Sequence, residues 1–133
     1  MDQAVINIEE GKYAIGVQTL KKDENEASAM ANYLSQKAIV TKQNELFTLS
    51  LLLQSQTTIT GFQIENEAGE FVEATESQID EETDRRFEMF ELSHLPGILH
   101  ARVQYEVEHD GRSFKGDEVL RLSFDAQSLE KLA

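Results

Sequence analysis

The residues best equipped for chemistry sit in one short segment, Ser28-Ala29-Met30-Ala31-Asn32-Tyr33, followed by Leu34. Residues 28–34 have room for about two helical turns, and Ser28 stands where a hydroxyl caps the first of them. This chemistry is hydrogen bonding and aromatic contact, suited to binding. Signals for catalysis are missing from the sequence. No Gly-x-Ser-x-Gly turn, glycine-rich phosphate loop or Ser/His/Asp order occurs. The three histidines, His94, His100 and His109, lack a metal-ligand spacing such as i, i+4 on a helix. The acidic run Asp80-Glu81-Glu82-Thr83-Asp84 lacks the Asp-x-Asp-x-Asp-Gly frame of a calcium loop, and Asp23-Glu24-Asn25-Glu26 reads as an exposed loop. Cysteine is absent, which removes disulfides, thiolate metal sites and cysteine nucleophiles. The expectation is a binding protein and not an enzyme.

Composition narrows the partners. The 133 residues are 40% hydrophobic, enough for one domain, 1–133, with one core. Twelve basic against 25 acidic residues leave a net charge of −13. Such a surface repels phosphate backbones and anionic membranes, so nucleic-acid binding and membrane insertion are not expected. No apolar run approaches the ~18 residues of a membrane span, and no signal peptide is visible.

The segment must be positioned by strands, because period-two alternation runs through the chain. Tyr13, Ile15 and Val17 form one face; so do Phe47, Leu49, Leu51 and Leu53. Thr60, Phe62 and Ile64 follow, then Phe87 and Met89, then Val103, Tyr105 and Val107, and finally Leu120, Leu122 and Phe124. Turns are expected at Gln43-Asn44-Glu45, Glu67-Ala68-Gly69 and His109-Asp110-Gly111, and Pro96-Gly97 breaks the chain before the last two strands. Seven or eight short strands predict an all-β, immunoglobulin-like antiparallel β-sandwich with a short helix near residues 28–34. Residues 126–133 are expected to form a second short helix capped by Asp125.

The Ser-x-Met-x-x-Tyr-Leu string resembles the haem-contacting segment of NEAT (near iron transporter) domains, modules of Gram-positive surface proteins. Nearly the whole chain is similar to that family. Gly11-Lys12-Tyr13-Ala14-Ile15-Gly16 resembles its opening strand, and Leu20-Lys21-Lys22-Asp23 the strand leading into the helix. Phe62-Gln63-Ile64-Glu65 and Phe87-Glu88-Met89-Phe90 stand where its middle strands fall, and Leu122-Ser123-Phe124-Asp125 resembles its ending. The resemblance implies haem held between the short helix and the final hairpin. Porphyrin faces need an apolar slot, propionates need donors, and ferric iron needs an anionic oxygen. It implies a surface or secreted setting, with haem as ligand and haemoglobin or another haemoprotein as a possible partner.

By position, Ser28 resembles the serine that hydrogen-bonds a propionate, Tyr33 the tyrosine bordering the porphyrin, and Lys21 a rim cation. Each has a plainer alternative: a cap, a packing aromatic, a surface lysine. Met30 reads as a core anchor. The family's iron ligand is the first of a Tyr-x-x-x-Tyr pair on the last strand, its second tyrosine hydrogen-bonding the first. Counted back from Phe124-Asp125, those positions are Phe114 and Glu118. Ala29 stands in place of a larger residue covering the other haem face, and Thr58 where an aromatic is common. Tyr105, on the penultimate strand, is either a sheet-face aromatic or a substitute iron ligand, and His109 at the hairpin tip is a second substitute. Two functions stay open: a haem-binding module with weak or altered ligation, or a protein-interaction module that has lost haem.

Overall fold

The computed structural model describes residues 5–54, 58–66 and 68–132, apart from the side chains of Val5, Ala29, Asn32 and His109. Strands follow in the order β1 (Val5–Ile6), β2 (Gly11–Lys21), β3 (Lys37–Gln43), β4 (Leu46–Leu53), β5 (Ile59–Glu65), β6 (Phe71–Glu73), β7 (Glu76–Asp80), β8 (Arg85–Leu92), β9 (Leu95–Pro96), β10 (Ile98–His109) and β11 (Arg112–Lys131). A 3-10 helix, Ala29–Tyr33, lies between β2 and β3. β1 pairs with β9, and the other nine form one antiparallel sheet ordered β6-β5-β10-β11-β2-β3-β4-β8-β7. That sheet curls over itself. Phe62 of β5 and Phe90 of β8, far apart in strand order, meet with ring centroids 6.0 Å apart and tilted 52°.

Alternating apolar side chains drive the curl, since each buried leucine or phenylalanine contributes about 1.5–3 kcal/mol by leaving water. Ile15, Val40, Leu49, Leu53, Phe62, Ile64, Val103, Leu120 and Leu122 are buried in one core. Two hairpins are set by their turns. Asn44 and Glu45 (φ 53° and 66°) join β3 to β4, and Asp110 and Gly111 (φ 52° and 74°) join β10 to β11. Both are two-residue loops with two positive φ angles, the form whose twist matches paired strands.

Several expectations need correction. The tail is strand and not helix: β11 runs to Lys131, with Ala133 outside the described residues. After a bulge following Asp125, Glu130 and Lys131 pair with Ala14 and Tyr13 of β2. Ser128 Oγ accepts from Gly16 N at 2.7 Å, and Leu132 N donates to Lys12 O at 2.7 Å. Ladder bonds to β2 outweigh a weak local helix preference. Gly11-Gly16 and Leu20-Lys21 belong to one continuous strand, not two. In β8 the facing is reversed. Glu88 and Phe90 are buried, whereas Phe87 is 37% exposed. Glu88 can turn inward because Arg86 Nε lies 3.2 Å from its Oε1 and Ser77 Oγ donates to its Oε2. Thr60 is exposed and Ile59 takes the core position, since the β5–β10 register slips at Gln104/Tyr105. At the turn expected over Glu67-Ala68-Gly69, Gly69 N donates to Asn66 O at 3.0 Å, with Gly69 at φ 82°; Glu67 lies outside the described residues.

Candidate functional site

Opposed residues of an antiparallel ladder share a face, so the β10–β11 register fixes what the last hairpin presents to the interior. Ala101 opposes Leu120, Val103 opposes Glu118, Tyr105 opposes Gly116, and Val107 opposes Phe114. Toward the base of the hairpin this row is core: Ala101, Val103 and Leu120 are buried. Toward its tip the same row is open, with Phe114 49% exposed and Glu118 exposed. Phe114 and Glu118 thus stand on the inward-facing row, four residues apart. Tyr105 is half-buried and packs against the core edge.

Its cross-strand partner explains its posture. A Cβ at Gly116 would fall 2.6 Å from Tyr105 Cε1 and nearer still to Cζ and the hydroxyl oxygen. The phenol therefore lies flat across β11 in space that only a glycine leaves free. Its oxygen rests over the strand between Phe114 and Glu118, on their face. Gly116 escaped the sequence reading. A glycine in alternation with Phe114 and Glu118 was the available signal, since glycine inside a strand marks close approach.

The 3-10 helix forms the other wall. Ser28 N donates to Thr19 O at 3.0 Å, and Ala27 bridges Leu20, so the helix starts against the end of β2. Ser28 is buried, and its Oγ accepts from Met30 N at 3.1 Å. The cap is real and uses an acceptor lone pair, leaving the hydroxyl proton for another partner. Met30 is buried in the core, as expected. The helix is five residues of 3-10 form, closed by Ala31 N donating to Ser28 O at 2.9 Å, and shorter than two α-helical turns. Tyr33 borders a cavity of about 580 Å³ with Thr58, Glu106, Val107 and Glu108. Thr58 is held in the wall, its carbonyl accepting from Glu106 N at 2.9 Å. Ala29 belongs to the same helix.

Lys21 continues the inward parity of β2, opposite Leu120, at the open end. Its ammonium donates to Glu26 Oε2 at 3.0 Å. That bond raises the lysine pKa and lowers that of Glu26. Arg121, unnoticed in the sequence, holds the loop between them: it donates to Lys21 O, Glu24 O and Asn25 Oδ1 at 3.0, 2.8 and 2.8 Å. On the outer face of the hairpin, Arg102 grips Asp117 through two hydrogen bonds of 2.9 and 2.6 Å, holding that carboxyl below its usual range.

The three histidines do not converge on one site. His94 and His100 line a separate pocket of about 730 Å³ beside Glu65 and Asn66, at the far end of β10 from the open hairpin tip. His100 Nδ1 lies 3.6 Å from Glu65 Oε1. His109 ends β10 at the tip. Among the described residues no cluster of histidine and carboxylate side chains could hold a bare metal ion, and no helix is long and apolar enough to cross a membrane.

Known proteins match this chain in sequence and fold. The family model "NEAT: Iron Transport-associated domain" matches residues 7–126. A protein of Listeria monocytogenes named "Hemin/hemoglobin-binding protein 1" is 25% identical over 126 residues. That match takes in 95% of this chain, and the chain spans 58% of that relative's length. Among solved structures, the NEAT5 domain of IsdX2, described as a B. anthracis hemophore in complex with heme, is 26% identical with a TM-score of 0.79. The match covers 89% of this chain and 98% of that one. A mutant of the same IsdX2-NEAT5 domain, also in complex with heme, matches with the same identity and TM-score over 90% and 98%.

Proposed function

This chain belongs to the NEAT family of iron transport-associated domains, and we propose that it captures haem in the open cleft between the 3-10 helix and the last hairpin. The observation that carries this reading is the uncovered inner row of β10–β11 facing a helix whose buried serine keeps a hydroxyl proton to donate. Val107, Phe114 and the ring of Tyr33 supply apolar contact for porphyrin faces. The Ser28 hydroxyl hydrogen-bonds one propionate. Lys21 meets the propionates at the rim, exchanging its bond to Glu26 for a bond to haem. These residues fit the porphyrin and its carboxylates. At Phe114 they do not fit the iron, because a benzene ring offers no oxygen. The heme-bound structures of IsdX2-NEAT5 and the name of the Listeria relative support the reading.

The module works by binding and release, not catalysis. Residues 1–133 act as one domain, part of a surface or secreted protein that gathers iron. Titration of the protein with ferric haem tests this directly: a saturable one-to-one shift of the Soret band is expected, and its absence overturns the proposal.

A second reading follows from Phe114. An apolar edge without an iron ligand also suits a protein contact, with haemoglobin or another haemoprotein as the partner. In that case haemoglobin binds the immobilised domain while free haem does not.

A further inference from the structure

We propose that Tyr105, reaching across from the penultimate strand, is the iron ligand of this site. The inference rests on the haem-capture reading and addresses what that reading leaves open, the source of the oxygen. Ferric iron takes a phenolate readily, and the chain has three tyrosines. Tyr13 is buried, and its hydroxyl donates to Glu9 O at 3.0 Å, so it is committed to the core. Tyr33 stands on the helix wall beside Thr58 and Val107. Tyr105 alone lies on the sheet floor, and its oxygen rests over Gly116, in the stretch of β11 between Phe114 and Glu118. Among the described residues its hydroxyl has no hydrogen-bond partner and is not enclosed, so the oxygen is free to meet a ligand arriving from solvent. Gly116 has a specific part: a side chain there would lift the phenol off the strand. One strand thus gives up its side chain so that the neighbouring strand can place an oxygen on it.

Ligation is redox-neutral. The phenol loses its proton to solvent, its oxygen bonds to ferric iron, and the water held there leaves; the iron stays ferric. The neighbouring Glu118 carboxylate replaces what would be a hydrogen-bond donor in a tyrosine pair, so the phenolate receives no donor from that position.

The test is the coordination spectrum of the haem-loaded protein, read by visible absorption and resonance Raman. The parent protein should show a phenolate-to-iron charge-transfer band. Tyr105→Phe should lose the band, and haem should pass to apomyoglobin about tenfold faster, the loss of roughly 1.4 kcal/mol of binding. Tyr13→Phe, which alters a tyrosine outside the cleft whose hydroxyl donates to Glu9 O, should keep the band. Gly116→Val, which shifts the ring and keeps the phenol, should alter the band's position or intensity and stands in if Tyr105→Phe fails to fold by circular dichroism. A band unchanged in either the Tyr105→Phe or the Gly116→Val protein overturns the assignment. A parent protein that shifts the Soret band saturably without a phenolate band overturns the ligand while haem capture stands. No saturable shift at all overturns both.

Discussion

Along β11, residues 120–124 and residues 114–118 share one face but not one environment. Leu120, Leu122 and Phe124 are 1%, 1% and 6% exposed, closed in the core. On the same face, two residues further back at each step, come Glu118, Gly116 and Phe114, which face an open corner. One continuous alternation therefore serves two purposes: its second half holds the fold together, and its first half presents a surface. The difference lies in what stands opposite. The second half meets the other side of the curled sheet; the first extends past it, and among the described residues Tyr33 of the 3-10 helix and Thr58 stand beside it at the gap.

The largest expected break in this comparison comes from equal truncations in the two halves. Leu122→Ala should lower unfolding stability by roughly 2–5 kcal/mol, since it empties a packed site. Phe114→Ala should cost about 0.5 kcal/mol, as for other surface changes, yet weaken haem retention. Denaturant melts and haem titration of both variants check this. Equal stability losses would mean that the hairpin tip is core after all. Ser28→Ala should cost about 1 kcal/mol through the lost cap, together with a propionate contact. Chemical denaturation with and without haem separates the two contributions. Restoring the family's tyrosine pair by Phe114→Tyr with Glu118→Tyr should strengthen tyrosinate ligation and slow haem loss. Unchanged haem spectra in that double variant would mean that the hairpin register is misread.

The smallest effect is the pH response of the exposed pairs. Asp117 and Glu26 have lowered pKa values, through hydrogen bonds from Arg102 and Lys21 respectively. Their contribution is present above the unfolded carboxyl pKa and is lost as pH falls through the folded one, below about pH 4. Lys21, raised by Glu26, contributes fully below its unfolded value and loses that contribution only as strongly alkaline pH is reached. Amide protection at the hairpin tip, taken relative to the intrinsic exchange rate at each pH, should be flat across neutral pH and fall in acid, and Asp117→Asn should remove the acid step.

Alternation in the sequence located the sandwich because most strands bury one face. It places Val103, Tyr105 and Val107 together, and Leu120 with Phe124, where the register has them. It fails in β8, where an Arg86–Glu88 ion pair lies inside and Phe87 outside; a charge neutralised by a partner from another position is invisible to a hydropathy pattern. It fails in the tail, whose pairing with β2 is a long-range contact. Of the candidate site, the nearness of Lys21, Ser28 and Tyr33 at the end of β2 and on the 3-10 helix was legible because they sit in one contiguous segment. The posture of Tyr105 was not, because it depends on the absent side chain of Gly116 across the hairpin.

Arg121 fixes one rim of the proposed cleft. Its three hydrogen bonds tie residues 21–25 to the strand that forms the cleft floor. Lifting that lip means breaking all three, at about 1 kcal/mol or somewhat more each. Floor and lip therefore move as one piece, like a fixed jaw. If haem is captured there as proposed, its exchange rates should depend on the contacts it makes along a fixed rim and not on the opening of a cover.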